Sequence, residues 1–518
     1  MLRNKICYGI LISSLVFGSC GDRLLDSSPD DKYVESNFWN SEAAADAALT
    51  GVYNILRYDG IYGNEATPLW EDTATPNAYN YSDAKGFNSI ASGKQMETTG
   101  GVIANRWARS YMGIGRANTF LANVDRVEID EEKNARMKGE AKFLRALYYF
   151  FLEAYYGDVP LILDPPALEQ GDRPRTPRAE VVAQIIKDLD EAAPVLPPSY
   201  SGANVGRVTQ GAALALKARV LLFEASPLFN TNNDIQKWDA AAKAAKAVID
   251  LGQYDLYPDY RALFLPENEN NEEVIFDIQY IYPDGGHSFD LICRQYNTNA
   301  PLRELIDAYY MKDGLPYEES DLYDPDNIYA NRDPRMDMTI VYPGATYMGE
   351  TVSESRFAVT GYGMKKYSIY DEEKPPSDKA DLKGGQSETN YMVIRYADVL
   401  LMYAEALNEF SGPSPQVYDA LNAIRDRVDM PHIEPGHTKE SLREEIRHER
   451  RIELVGEGYF YNDIRRWMIG EEMLSGPVHA YNGKELEVRS FDPKRDYWWP
   501  IPLGELDLNK ELDQNPEY

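Results

Sequence analysis

The stretch from Met137 to Tyr155 constrains the architecture most. Met137, Ala141, Leu144, Tyr148, Phe151 and Tyr155 recur at alternating spacings of four and three, which puts all six on one helix face. Gly157 and Pro160 then end the helix. Ala213, Leu216, Val220 and Phe223 repeat the pattern, and Pro227 stops it. The segment from Lys237 to Leu251 is Ala-rich and predicts a helix with Gly252 as its stop. Tyr391 to Phe410 and Gln416 to Val428 predict a helix pair across Ser411-Gly412-Pro413, and Ser441 to Val455 a charge-laced helix. Trp107, spaced with Tyr111, Ile114 and Asn118, reads as one more core face. Alanines at close-contact positions of successive pairs point to tetratricopeptide-like stacking, but the period of about 34 residues is not kept. The expected fold is therefore mainly α: a degenerate superhelix with long loop-rich insertions and a few short strands. Pattern alone also fits an unrelated helical bundle.

Two regions break the helical pattern. The first, 60–101, holds Trp70, Asp72, Asn77, Tyr79, Asn80, Tyr81 and Phe87 among Gly, Ser, Thr and Asn. The second, 253–390, opens with an alternating strand at Val274, Phe276, Ile278 and Tyr280. A loop carrying Tyr282, His287, Phe289, Arg294, Tyr296 and Asn297 follows. Loops of this length inside a compact chain usually bind something. The helical scaffold is then expected mainly over 36–59, 105–252 and 391–470.

The start of the chain predicts export. Arg3 and Lys5 precede a mostly apolar run from Ile6 to Gly18, too short for the ~20 residues that span a bilayer. Gly18 and Ser19 are small residues before Cys20. This reads as a signal peptide over 1–19 and a lipid anchor on Cys20, with one mature domain over 20–518. Phe17 departs from the usual Leu three residues before the cysteine, and a plain secreted protein is the alternative. Cleavage removes Cys7 and lipidation occupies Cys20, leaving Cys293 with no disulfide partner.

The formal charge is −31, which disfavours nucleic acid and anionic lipid as partners and leaves the anchor as the membrane attachment. No P-loop, His-Glu-x-x-His, Cys-x-x-Cys or Gly-x-Ser-x-Gly occurs, and Gly113-Ile114-Gly115 lacks a third glycine. His432 and His437 read as solvated loop residues. The acidic run from Asp321 to Asp333 lacks the sixth-position Gly and twelfth-position Glu of an EF-hand, so structural calcium is only weakly supported and no cofactor is expected. With 84 acidic residues, a glycosidase pair is neither excluded nor identified.

Several segments, in order along the chain, resemble one family. They are Asp22-Arg23-Leu24-Leu25-Asp26, Asn37-Phe38-Trp39, Gly139 to Ala146 with Tyr156 to Leu161, and Lys312-Asp313-Gly314 with Arg332-Asp333-Pro334-Arg335. Then come Ile394 to Val399, Glu449 to Leu454, Asp463-Ile464-Arg465-Arg466-Trp467, Trp499-Pro500-Ile501-Pro502 and Asp513 to Pro516. Together these resemble the SusD/RagB family of outer-membrane nutrient-binding lipoproteins. One departure is Phe460, where the family commonly has Arg.

The resemblance implies four tetratricopeptide-like units and a surface lipoprotein seated on a TonB-dependent, SusC-like outer-membrane transporter. It implies glycan capture without hydrolysis. A lipid-anchored glycoside hydrolase, a surface assembly protein, and a binder of peptide or another nutrient are the rival readings. The shared motifs read as scaffold: Glu140 and Arg145 in helix-to-helix ion pairs, Arg450, Arg451 and Glu453 likewise, Trp467 and Trp499 as packing. Sugars offer apolar CH faces ringed by hydroxyls, so a site needs exposed aromatics beside polar side chains. The candidate platforms are Trp70, Tyr79, Tyr81, Tyr282, Phe289 and Tyr296. The polar candidates are Asp72, Asn77, Arg294 and Asn297.

Overall fold

The computed structural model describes residues 38–518 except 64–66 and 84. Cys20, the segment 1–19, and the motif residues Asp22 to Asp26 and Asn37 lie outside the described residues. The chain is mainly helical. Its principal helices are α1 (Glu42–Tyr53), α2 (Val102–Asn123), α3 (Glu131–Tyr156), α4 (Arg178–Ala192), α5 (Gln210–Ala225), α6 (Ile235–Ile249), α7 (Tyr396–Ser411), α8 (Pro415–Asp426), α9 (Lys439–Glu453) and α10 (Phe460–Arg466). Side-chain caps start several: Ser41 on α1, Asp130 on α3, Thr209 on α5 and Thr438 on α9 accept from first-turn amides.

These helices stack in sequence order, α2 on α3, α3 on α4, α4 on α5, α5 on α6, then α6 on α7 and α7 on α8 and α9. This is the tetratricopeptide-like superhelix expected. α3 sits at its centre. Almost every residue from Met137 to Tyr156 is buried, Glu140 and Glu153 included. A helix buried all round must pair its charges internally. Glu140 accepts from Tyr53 (2.8 Å) and Arg207 (2.9 Å), and Arg145 forks onto Asp188 at 2.7 and 2.8 Å. At Gly113 α2 and α3 approach closely: a Cβ there would lie 2.4 Å from the Tyr148 ring. That accounts for Gly113, whereas Gly115 faces Pro166, whose Cγ would lie 3.0 Å from a Cβ there. Trp107, Trp467 and Trp499 are buried. Among the described residues no helix is long and apolar enough to cross a membrane.

The short strands include β1 (Ala78–Tyr79), β2 (Val274–Ile278), β3 (Ala300–Pro301), β4 (Tyr391–Arg395), β5 (Gly476–His479) and β6 (Glu485–Arg489). One expectation fails here. Tyr391 to Arg395 is a strand, not the first turn of a helix, and it pairs antiparallel with β2. Its β-branched centre, Val393-Ile394, suits a pleated surface, and long-range pairing decides between the two readings. Pairing β2 with β4 brings the two ends of the long insertion together. Arg395 then donates to Glu273 (2.7 Å), Glu453 (2.6 Å) and Glu457 (2.6 and 2.8 Å). Arg427 adds a second cation to Glu273 and Glu453, and Lys366 one to Glu457. The insertion is thereby riveted to the scaffold by buried charge.

Candidate functional site

The two irregular regions meet. β1 and β3 pair antiparallel, Ala78 opposite Pro301 and Tyr79 opposite Ala300. This places Tyr79, Asn80 and Tyr81 alongside the chain that leaves Tyr296. Just before β3, residues Ile292–Tyr296 form a π-helical turn that ends at Asn297 with a positive φ of 49°. Such turns are rare and recur at functional sites. Tyr81 and Tyr296 are 49% and 46% exposed, unusual for large aromatic side chains.

A third segment closes this face. The loop 379–388 sends Lys379 over the Tyr282 ring, 6.0 Å from its centroid, and Asp381 onto Arg294 at 2.6 Å. Arg294 also donates to the Leu382 carbonyl, and Arg356 donates to the Arg294 carbonyl at 2.8 Å. Arg57 donates to the Gly285 carbonyl and lies over Tyr280, tying the Tyr282 hairpin to the end of α1. Tyr79 is half-buried. Burial, then Glu487, raise its hydroxyl pKa. Tyr79, Tyr81, Tyr282, Arg294 and Tyr296 thus keep solvent access on neighbouring loops.

Five candidates are corrected. Trp70 lies in a 3-10 stretch, Thr67–Ala74, in which every residue is buried. Asp72 accepts from the Gly456 amide at 2.7 Å and from Asn77 at 3.4 Å, and Asn77 accepts from Arg451 at 2.9 Å. Burial pushes the Asp72 carboxyl up to about 6. Phe289 is buried, its amide on His287 Nδ1. Asn297 is buried, its amide donating to the Tyr362 carbonyl at 2.9 Å. In this fold none of the five presents a surface to a sugar; they fasten the loops to one another and to the end of α9. Their Gly- and Asn-rich surroundings serve turns rather than exposure.

Arg57, Arg356, Lys379 and Asp381 join these loops without having stood out in the sequence. Lys379 and Asp381 sit in a charged, Pro-containing run with no periodicity, and Arg57 ends a scaffold helix, so no sequence signal marks them. Among the described residues no group of three or more His, Cys, Asp or Glu is arranged to hold a metal ion. In the run Asp321 to Asp333 the acids do local work: Asp324 accepts the Asp326 amide, and Asp333 caps a short helix and pairs with Arg335. Two sizeable cavities lie on the helical scaffold. One, of about 670 Å³, is lined by Phe38, Trp39, Tyr111 and Phe120, and the other, of about 600 Å³, by Trp238, Arg443, Arg447 and Trp467.

One family model, described as the SusD family, matches residues 272–518. Another, described as "Starch-binding associating with outer membrane", matches residues 23–222. A SusD-like carbohydrate-binding protein of Bacteroides fragilis superposes with a TM-score of 0.81 at 30% identity, over 92% of this chain and 100% of that one. The chain belongs to the SusD family. It is also 28% identical to SusD-like protein P2 of Formosa agariphila over the full length of both chains. A laminarin-binding SusD-like protein superposes with a TM-score of 0.72 at 26% identity, over 93% of this chain and 100% of that one. As a SusD-family member the chain carries the family's shared segments mostly as buried scaffold: Arg145, Arg395, Arg450, Arg466 and Trp499 all lie inside.

Proposed function

We propose that this chain is a lipid-anchored surface protein that captures oligo- or polysaccharide and passes it to a TonB-dependent, SusC-like outer-membrane transporter, without cleaving it. Removal of residues 1–19 and a lipid on Cys20 supply the anchor, and residues 20–518 act as one domain. The observation that carries the reading is the β1–β3 pairing. It brings the chain of Tyr79 and Tyr81 alongside the chain that leaves Tyr296, and Tyr81 and Tyr296 are both about half exposed. Membership of a family described as starch-binding and associating with the outer membrane supports the ligand class and the location.

Chemically the surface suits a sugar. Half-exposed tyrosine rings offer apolar area worth roughly 25 cal/mol per Å² covered. Arg294, Arg356, Lys379 and Asp381 stand by to hydrogen-bond hydroxyls, and charged partners make the stronger bonds. An open face set on several loops holds a chain without enclosing a scissile bond. Native affinity gels cast with starch, laminarin, xylan, mannan and pectin test this, each followed by a reducing-sugar assay. Retardation in at least one gel without reducing ends supports capture. Released reducing ends at catalytic protein concentrations establish a hydrolase instead, and retardation by none removes the glycan reading.

A further inference from the structure

A second aromatic surface lies next to the first and has no assigned role. Tyr329 and Tyr342 stack with ring centroids 4.1 Å apart and planes 20° apart. Tyr362 packs edge-on against Tyr329 and against Tyr481, at 6.2 and 6.5 Å. Tyr362 is fully buried, whereas Tyr329, Tyr342 and Tyr481 keep part of their rings in water.

Tyr481 is held as a platform. It sits in the turn of the β5–β6 hairpin, where its amide donates to the Thr360 carbonyl at 2.8 Å and its hydroxyl to Glu354 at 2.8 Å. Its ring lies on Gly361, where φ is +82° and a Cβ would sit 2.2 Å from the ring. Only glycine lets the ring come down there. Tyr342 is fixed likewise, its hydroxyl on Asp337 at 2.8 Å. Glu354 and Asp337 are exposed carboxylates at the ring edges. Rings pinned at the hydroxyl with a wet face lose little freedom when a ligand covers them.

Two links tie this cluster to the first. Asn297, next to Tyr296, donates to the Tyr362 carbonyl, so Tyr362 backs both clusters. The β5–β6 hairpin runs between them: Arg489 in β6 reaches the Ala78 carbonyl beside Tyr79, and Tyr481 is at its turn. Arg489 locks that hairpin to the first region by donating to the carbonyls of Thr73 and Ala78 at 3.2 and 3.0 Å.

We infer that Tyr481 with the Tyr329–Tyr342 stack is a second glycan platform, binding a further stretch of the strand held at Tyr81 and Tyr296. The inference rests on the proposed glycan capture and sharpens it. The ligand class is then a strand long enough to cover both platforms, and a short oligosaccharide fills only one. Tyrosine edges held by carboxylates favour a neutral chain over a sulfated or uronic one, since Glu354 and Asp337 repel anions.

Calorimetry on intact soluble protein tests it, with the polysaccharide that retards the wild type and a tetrasaccharide cut from it. Tyr342→Ala/Tyr481→Ala is expected to weaken the polymer about tenfold and the tetrasaccharide less than about twofold. Tyr481→Phe keeps the ring and should keep polymer affinity, and melting curves should show all variants folded. Equal affinity of wild type and double variant for the polymer overturns the inference while leaving the proposed function standing. An equal loss for polymer and tetrasaccharide also overturns it, because the platform would then belong to the first site. If Tyr342→Ala/Tyr481→Ala does not fold, Tyr481→Ser alone replaces it, and unchanged polymer affinity in that variant overturns the inference equally. A wild type that binds no polysaccharide in the panel overturns both readings together.

Discussion

Replacing Arg395 with methionine should be among the costliest single changes in this chain. Arg395 is fully buried and makes five hydrogen bonds, four to carboxylate oxygens of Glu273, Glu453 and Glu457 and one to the Glu453 carbonyl. Methionine fills much of the volume but leaves three buried carboxylates short of a cation. Glu273 and Glu453 keep Arg427, and Glu453 also keeps Arg335 at 3.1 Å. Among the described residues Glu457 keeps only the Lys366 ammonium, at 2.7 Å, and burial already pushes that group down to about 8. Breaking a buried pair on one side costs about 3–5 kcal/mol, and the surviving partners hold the expected loss near the lower end. Urea denaturation followed by circular dichroism measures it. Adding Glu457→Gln to Arg395→Met removes the worst-placed orphan charge and should return on the order of 1 kcal/mol, a coupling read from the double-mutant cycle. A single-variant loss below about 1 kcal/mol would refute the claim that this network rivets the insertion to the scaffold.

Other expectations follow from the same geometry. His287 is buried with Nε2 on the Thr389 carbonyl at 2.9 Å, and burial lowers its pKa from 6.5 to about 4. Between those values the unfolded chain binds a proton that the folded chain refuses, so the residue's contribution to stability falls as pH drops from 6.5 to 4, by up to about 3 kcal/mol. His287→Gln should therefore cost less at pH 4.5 than at pH 7 in urea melts, and an equal cost at both pH values would contradict the assignment. Gly113→Ala should drive a Cβ into the Tyr148 ring and lower stability by about 1–3 kcal/mol; an unchanged thermal midpoint would mean α2 and α3 separate freely. Cys20→Ala should shift the protein from the membrane fraction to the soluble one while its glycan affinity in solution is unaltered, and continued membrane retention would remove the anchor.

Helices were legible because burial imposes the 3.6-residue period directly on residue type, as at Met137 to Tyr155. The strand Tyr391–Arg395 was not, because no breaker separates it from α7 and its partner lies more than a hundred residues away. The two irregular regions of the candidate site were legible in the sequence, but which of their residues stay in solvent was not. Its assembly depends on β1 pairing β3, two residues on each side, which no local pattern encodes. Trp70, Asp72 and Asn77 looked exposed because polar residues surround them, yet those neighbours satisfy buried turns and the end of α9. Tyr81 and Tyr296, in equally polar stretches, stayed in solvent. Sequence cannot separate the two cases, because burial here is set by which distant loop covers each ring.

The most direct measurement is calorimetric titration of the retarding polysaccharide into wild type and into Tyr81→Ala/Tyr296→Ala. Each ring is about half exposed, so a stacked sugar covers on the order of 50 Å² of apolar area, worth roughly 1.2 kcal/mol. Two rings that act independently then give a loss of roughly fiftyfold to a hundredfold at unchanged thermal stability. Undiminished affinity in a folded double variant would contradict the central claim that the joined loop regions are the glycan-binding face.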